Sequence, residues 1–161
     1  MRNVERHAVG EINSMHYWHV IRNPVRVIIT AFAFEACKFF PSLALKRFVY
    51  RLFGVKVGRN AAIGLRAAFD VFFPELIEIG DNSIIGYDTL ILTHEFLVKS
   101  WCIGKVRIGR NVMIGANCTI LPGITVGDNS VIGAHSLVNR DVPPNSLWGG
   151  VPVRPIRRRP S

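Results

Sequence analysis

Acidic side chains are scarce in this sequence. Eleven Asp and Glu stand against 20 Lys and Arg, a formal net charge of +9 over 161 residues. Such a surplus must face something: cofactor phosphates, an anionic membrane surface or nucleic acid. The nucleic-acid reading also needs a binding motif, and the sequence holds none. Cysteine is equally sparse, with only Cys37, Cys102 and Cys118 and no CxxC pair. That excludes a disulfide framework and a zinc knuckle, and predicts buried, reduced thiols in a cytoplasmic protein. Long hydrophobic runs are missing too. The longest, Val27 to Phe34, is stopped by Glu35 and Lys38, short of the ~20 residues a membrane-spanning helix needs. It begins too deep, and lacks the small-residue cleavage site, to be a secretory signal. Charged residues make up only 19%, yet hydrophobic ones reach 49%, enough for a buried core.

What is present divides the chain at about Gly54. Residues 1–54 read as helical. Asn23 and Pro24 form a helix start, as cap and first-turn proline. This helix is predicted from Val25 to about Phe40, ending at Pro41. It is apolar on most sides, with a thin polar stripe through Arg26, Thr30 and Lys38. Ser42 caps a second, amphipathic helix that ends near Gly54, with Lys46, Arg47 and Arg51 on its basic side. Such a pair cannot stand alone in water. It must lie on the rest of the chain, on a neighbouring subunit, or on an anionic membrane through residues 24–53.

From Val55 an aliphatic residue returns every six positions, usually followed by glycine. The cleanest stretch is Ile108, Ile114, Ile120, Val126, Ile132 and Val138; earlier ones are Val57, Ile63 and Phe69, then Ile79, Ile85 and Ile91. Six is neither a helical period nor a simple strand alternation; it marks a β-helix of short strands and tight turns. The glycines are expected to carry the backbone through those turns. Every third hexad lacks its glycine, with Asp70, Leu92, Leu121 and Asn139 in its place, so three hexads make one coil of 18 residues. The register gives four coils, starting at Val57, Ile79, Ile108 and Val126. Four residues are inserted between the first two coils and eleven near Leu97 to Arg107 between the second and third. The longer insertion is where a functional loop is expected.

The hexads, the Thr93-His94-Glu95 run and the tail from Gly149 to Arg157 resemble the hexapeptide-repeat O-acetyltransferases, most closely the maltose and galactoside acetyltransferase group. The resemblance spans residues 55–158. It implies a mainly β fold, a left-handed parallel β-helix preceded by the helical hairpin, with residues 55–161 forming the repeat domain. It also implies acetyl-CoA as co-substrate, no metal, and a homotrimer with active sites between subunits.

The resemblance gives the site residues their roles. His94 would be the general base that deprotonates the acceptor hydroxyl, a task imidazole suits near neutral pH. Glu95 could orient it, but the family usually has no acid there, and a solvated carboxylate is the expected reading. Ala116 and Ala134 match the small residues beside the pantetheine arm. Asn139 and Arg140 match a polar pair near the cofactor, and Arg154 and Arg157 the basic residues that meet its phosphates. Met113 stands where relatives often have tryptophan, and Arg66 near the place of a sugar-binding asparagine. No acceptor residue carries over; a sugar or cell-envelope glycan hydroxyl is the expected acceptor class. His7, His16, His19 and His135 read as surface or structural. Two other functions remain: a non-catalytic scaffold on the same coil, and a zinc carbonic anhydrase. The latter needs three converging histidines, and the repeats hold only His94 and His135.

Overall fold

The computed structural model describes residues 2–156. From Lys56 onward the chain winds as a triangular prism whose three faces are parallel sheets. The first face stacks Lys56–Val57, Ile77–Ile79, Val106–Ile108 and Thr125–Val126. The second stacks Ala62–Ile63, Ile84–Ile85, Met113–Ile114, Val131–Ile132 and Leu147–Gly149. The third stacks Ala68–Phe69, Leu90–Ile91, Thr119–Ile120 and Leu137–Val138. The recurring aliphatics point inward and lie directly over one another: Ile63 pairs with Ile85, Ile85 with Ile114, and Ile114 with Ile132. Each is at most 1% exposed, and burying such a side chain contributes about 1.5–3 kcal/mol.

The winding continues past the fourth coil. Val142 bridges to Val126, and Leu147–Gly149 adds a further rung to the second face. This partial fifth coil escaped the hexad count because prolines and Asn145 replace the glycine pattern there. Its last strand folds back antiparallel on Arg154–Pro155.

Glycine serves the repeat differently from expectation. The left-handed turn positions belong to Asn60, Arg66, Asn82, Asp88, Asn111, Asn117, Asn129, His135 and Asn145. Asparagine tolerates that conformation better than most residues. The glycine two places earlier is needed because the next coil's backbone passes too close. A Cβ on Gly86 would lie 2.5 Å from the carbonyl of Gly115.

The helical hairpin closes the open end of the first coil. Its helices are Pro24–Lys38, capped by the Asn23 side chain, and Leu43–Leu52, capped by Ser42. Phe34 and Tyr50 are buried against the coil, with Tyr50 4.4 Å from Phe69 between ring centroids. Lys46, 1% exposed, donates to the carbonyl of Gly64 at 2.7 Å. Such a cap is what a solenoid requires at its terminus.

The first 54 residues are not uniformly helical. Glu5–Ala8 is a strand that pairs antiparallel with Ser100–Ile103, which in turn pairs with His94–Phe96. The long insertion is therefore a β-hairpin starting at His94, closed where Gly104 N–H donates to Thr93. It begins earlier than Leu97 because its first strand looks, in sequence, like the end of a coil.

Two glycines at the same hexad position should behave differently. Gly86→Ala is expected to destabilise by roughly 1–3 kcal/mol through overpacking. Gly133→Ala, whose new methyl would find its nearest neighbour at 3.7 Å, should stay within about 0.5 kcal/mol of wild type. Urea unfolding of both variants measures the difference.

Candidate active site

His94 stands where the chain leaves the third face and enters the hairpin. Its Nδ1 lies 2.6 Å from Asp70 Oδ2. Asp70 is 3% exposed and sits one coil earlier at the same corner. Its Oδ1 accepts from the N–H groups of Phe72 and Phe73; Oδ2 accepts from those of Thr93 and His94. Burial works against its charge. The hydrogen bond and charge of His94, with the N–H groups of Thr93 and Phe72, outweigh burial and hold the carboxyl below its usual range. A carboxylate so fixed selects the Nδ1–H tautomer and leaves Nε2 to take a proton.

Glu95 does not orient the imidazole. Its Oε2 accepts from Arg2 at 2.6 Å and from the Cys102 thiol at 3.3 Å. Nor is it a solvated surface carboxylate, with a side chain only 24% exposed. Burial, then Glu95, push the Cys102 thiol up. The Glu5–Ala8 strand thus reaches the His94 hairpin through backbone pairing and through Arg2. His7 stacks on Trp101 of the hairpin, with centroids 4.4 Å apart.

Outside the Asp70 contact the imidazole is surrounded by aromatic rings. Phe72 and Phe96 lie 4.6 and 4.8 Å from it, and Phe73 5.8 Å. A pocket of about 440 Å³ opens beside it, lined by Met15, Trp18, Val27, Phe72, His94 and Phe96. The size suits a small molecule.

The expected cofactor residues separate into two groups. Ala116 and Ala134 stack at the corner between the second and third faces, where His135 N–H donates to Ala116. The Gly149–Val153 turn lies over that corner: Leu137 N–H donates to Gly150, and Val153 N–H to Leu137. Arg154 follows it, exposed. Asn139 and Arg140 instead share the His94 corner, two coils further along. Asn139 Oδ1 is buried with no hydrogen-bond partner among the described residues. Arg157 lies outside the described residues. A corner of small side chains with an exposed arginine beside it fits a long polar thioester co-substrate, and the orphaned acceptor of Asn139 lies at the next corner. Among the described residues no cluster of His, Cys, Asp or Glu could hold a metal.

The comparisons agree with this architecture. A family model for the bacterial transferase hexapeptide (six repeats) matches residues 105–140. The chain is 43% identical over 159 residues to the protein named "Putative acetyltransferase YvoF" of Bacillus subtilis (strain 168); the match covers 97% of this chain and 91% of that one. It is 42% identical over 120 residues to the galactoside O-acetyltransferase of Escherichia coli (strain K12), covering 68% and 57%. A solved galactoside acetyltransferase in complex with coenzyme A is similar in fold, with a TM-score of 0.62 and 25% identity, covering 83% and 80%. The left-handed wind of the coil comes with that likeness. With a full-length relative above two-fifths identity, the chain belongs to the hexapeptide-repeat acetyltransferases, enzymes that use acetyl-CoA, in the group of the maltose and galactoside enzymes.

Proposed function

We propose that this enzyme transfers an acetyl group from acetyl-CoA directly to a hydroxyl of a sugar or cell-envelope glycan, with His94 as general base and Asp70 as its orienting acid. The pairing of buried Asp70 with the half-buried imidazole of His94, which lines the pocket, carries the reading. The acceptor oxygen attacks the thioester carbonyl while His94 Nε2 takes its proton. The C–S bond breaks, and the imidazolium returns that proton to the departing thiolate. Asp70 stays ionised throughout and stabilises the imidazolium, the role of the carboxylate in the serine-protease triad. No oxidant or metal is required for this balance.

The acceptor class is inferred from the galactoside relative. A homotrimer with sites between subunits is supported by the split cofactor path: Ala116 and Ala134 occupy one corner of the prism and His94 the next. A neighbouring copy could bring its thioester corner against His94.

Release of thiol from acetyl-CoA in the presence of sugar acceptors tests the base. His94→Ala should lower kcat by roughly 10²–10⁴-fold with acetyl-CoA binding kept; equal turnover would remove His94 from the chemistry. Asp70→Asn should also lower kcat by more than about tenfold, because the imidazole loses its tautomer partner.

Asp70 also predicts a pH dependence. Its carboxyl is depressed in the fold from an ordinary 3.8. Its contribution to stability is therefore complete above that value and lost as pH falls through the lower folded value. Asp70→Asn should cost about 1–3 kcal/mol at neutral pH, and the gap should close in strongly acidic urea titrations.

Shared sites predict complementation. His94→Ala and Ala134→Trp subunits, each inactive alone, should regain activity when co-expressed as mixed trimers. No recovery would place the site within one chain.

A further inference from the structure

The two hairpin helices bury one side each and leave the opposite side apolar. In Pro24–Lys38 the buried positions are Val27, Thr30, Phe34 and Cys37. The outward stripe is Val25, Ile28, Ile29 and Phe32, from 50% to 76% exposed. These four recur at helical spacing, so they form one continuous strip. In Leu43–Leu52 the buried positions are Lys46 and Tyr50. Leu45, Phe48 and Leu52 face outward, 41%, 64% and 69% exposed. Both helices put their inner sides against the first coil, so both strips look away from the prism. Phe53 closes a groove against Val25 and Ile29.

The charge around this strip has one dominant sign. Residues 24–53 hold Arg26, Lys38, Lys46, Arg47 and Arg51 against the single acid Glu35. Lys38 is paired with Glu35, Arg26 approaches Glu75 at 3.5 Å, and Lys46 is buried. Arg47 and Arg51 donate only to backbone carbonyls of the first coil, so their charge is not neutralised. Arg59, its side chain 87% exposed, lies beside them at the rim, partly offset by Asp81.

We infer that the outer face of this hairpin docks peripherally on an anionic membrane. The apolar strip enters the boundary between headgroups and acyl chains, and Arg47, Arg51 and their neighbours meet the phosphates. A second copy pressing the same face would bring like charges together, whereas an anionic bilayer complements them. No helix of the described residues is long and apolar enough to cross a bilayer, so the contact lies on the surface. Val27, from the same helix, lines the pocket beside His94. Docking therefore holds the reaction one helix diameter, ~10 Å, from the lipid.

Co-sedimentation of the full chain with sucrose-loaded vesicles tests this. Binding should be at least about tenfold tighter to phosphatidylcholine mixed with phosphatidylglycerol than to phosphatidylcholine alone, and should weaken in high salt. Ile29→Glu and Phe32→Glu, both at exposed positions, should abolish it while oligomer mass by light scattering and acetyl-CoA turnover stay at wild-type values. Absence of wild-type binding overturns the inference, as does equal binding to both vesicles. A fall in oligomer mass in either variant also overturns it, by assigning the strip to a subunit contact. Failure on any of these grounds leaves the His94 reading intact, because that reading is decided by turnover in solution.

Discussion

Successive coils of the prism are hydrogen-bonded backbone to backbone, which fixes their separation at about 4.8 Å. Every other feature of the domain has to accommodate that spacing. At the corners the incoming chain approaches so closely that only glycine fits at positions such as Gly80, Gly86 and Gly115. Two residues later the backbone must turn left-handed, and asparagine takes most of those places. Their side chains are then close enough to bond one another. Asn82, Asn111, Asn129 and Asn145 form an amide ladder with steps of 2.9–3.1 Å. The inward aliphatics stack because the corners leave them no alternative.

The same spacing builds the Asp70–His94 pair. Asp70 and His94 are 24 positions apart in sequence, yet one coil of stacking brings them to the same corner. The carboxylate can be buried there because the chain supplies four N–H donors: two from the turn after Asp70 and two from the residues entering the hairpin. Charge placement at this corner thus follows from the local backbone path, and the imidazole inherits its orientation from it.

The repeat and the site were unequally legible in the sequence. The break in register and the family resemblance singled out His94 as a candidate, whereas the hexads and the helical hairpin could be read directly, because period and caps are local signals. Asp70 could not. It was visible as an irregular third-hexad residue, the one acid among Asp70, Leu92, Leu121 and Asn139. A charged residue in a place otherwise apolar or amide was the signal, but its meaning depends on stacking across a coil with a four-residue insertion. Glu95 drew attention by adjacency; in a strand, neighbouring side chains point to opposite faces, so adjacency counted against it. The Glu5–Ala8 strand was unreadable for a related reason. It carries no alternation of its own, and its partner lies almost a hundred residues away.

That strand also bears on how the chain assembles. Asn3 N–H donates to Gly123, whose φ is +77° and whose absent Cβ would lie 2.4 Å from Asn3 O. Gly104 leaves room for the same carbonyl. Asn3, far earlier in the sequence, has no docking place until the third coil has closed. The strand that follows it should be fastened only after that coil, and the His94 hairpin should complete its sheet only then. A chain stopped short of Gly123 would carry the His94 hairpin with its partner strand, Glu5–Ala8, lacking the anchor at Gly123, so the candidate site is held from both sides of the repeat.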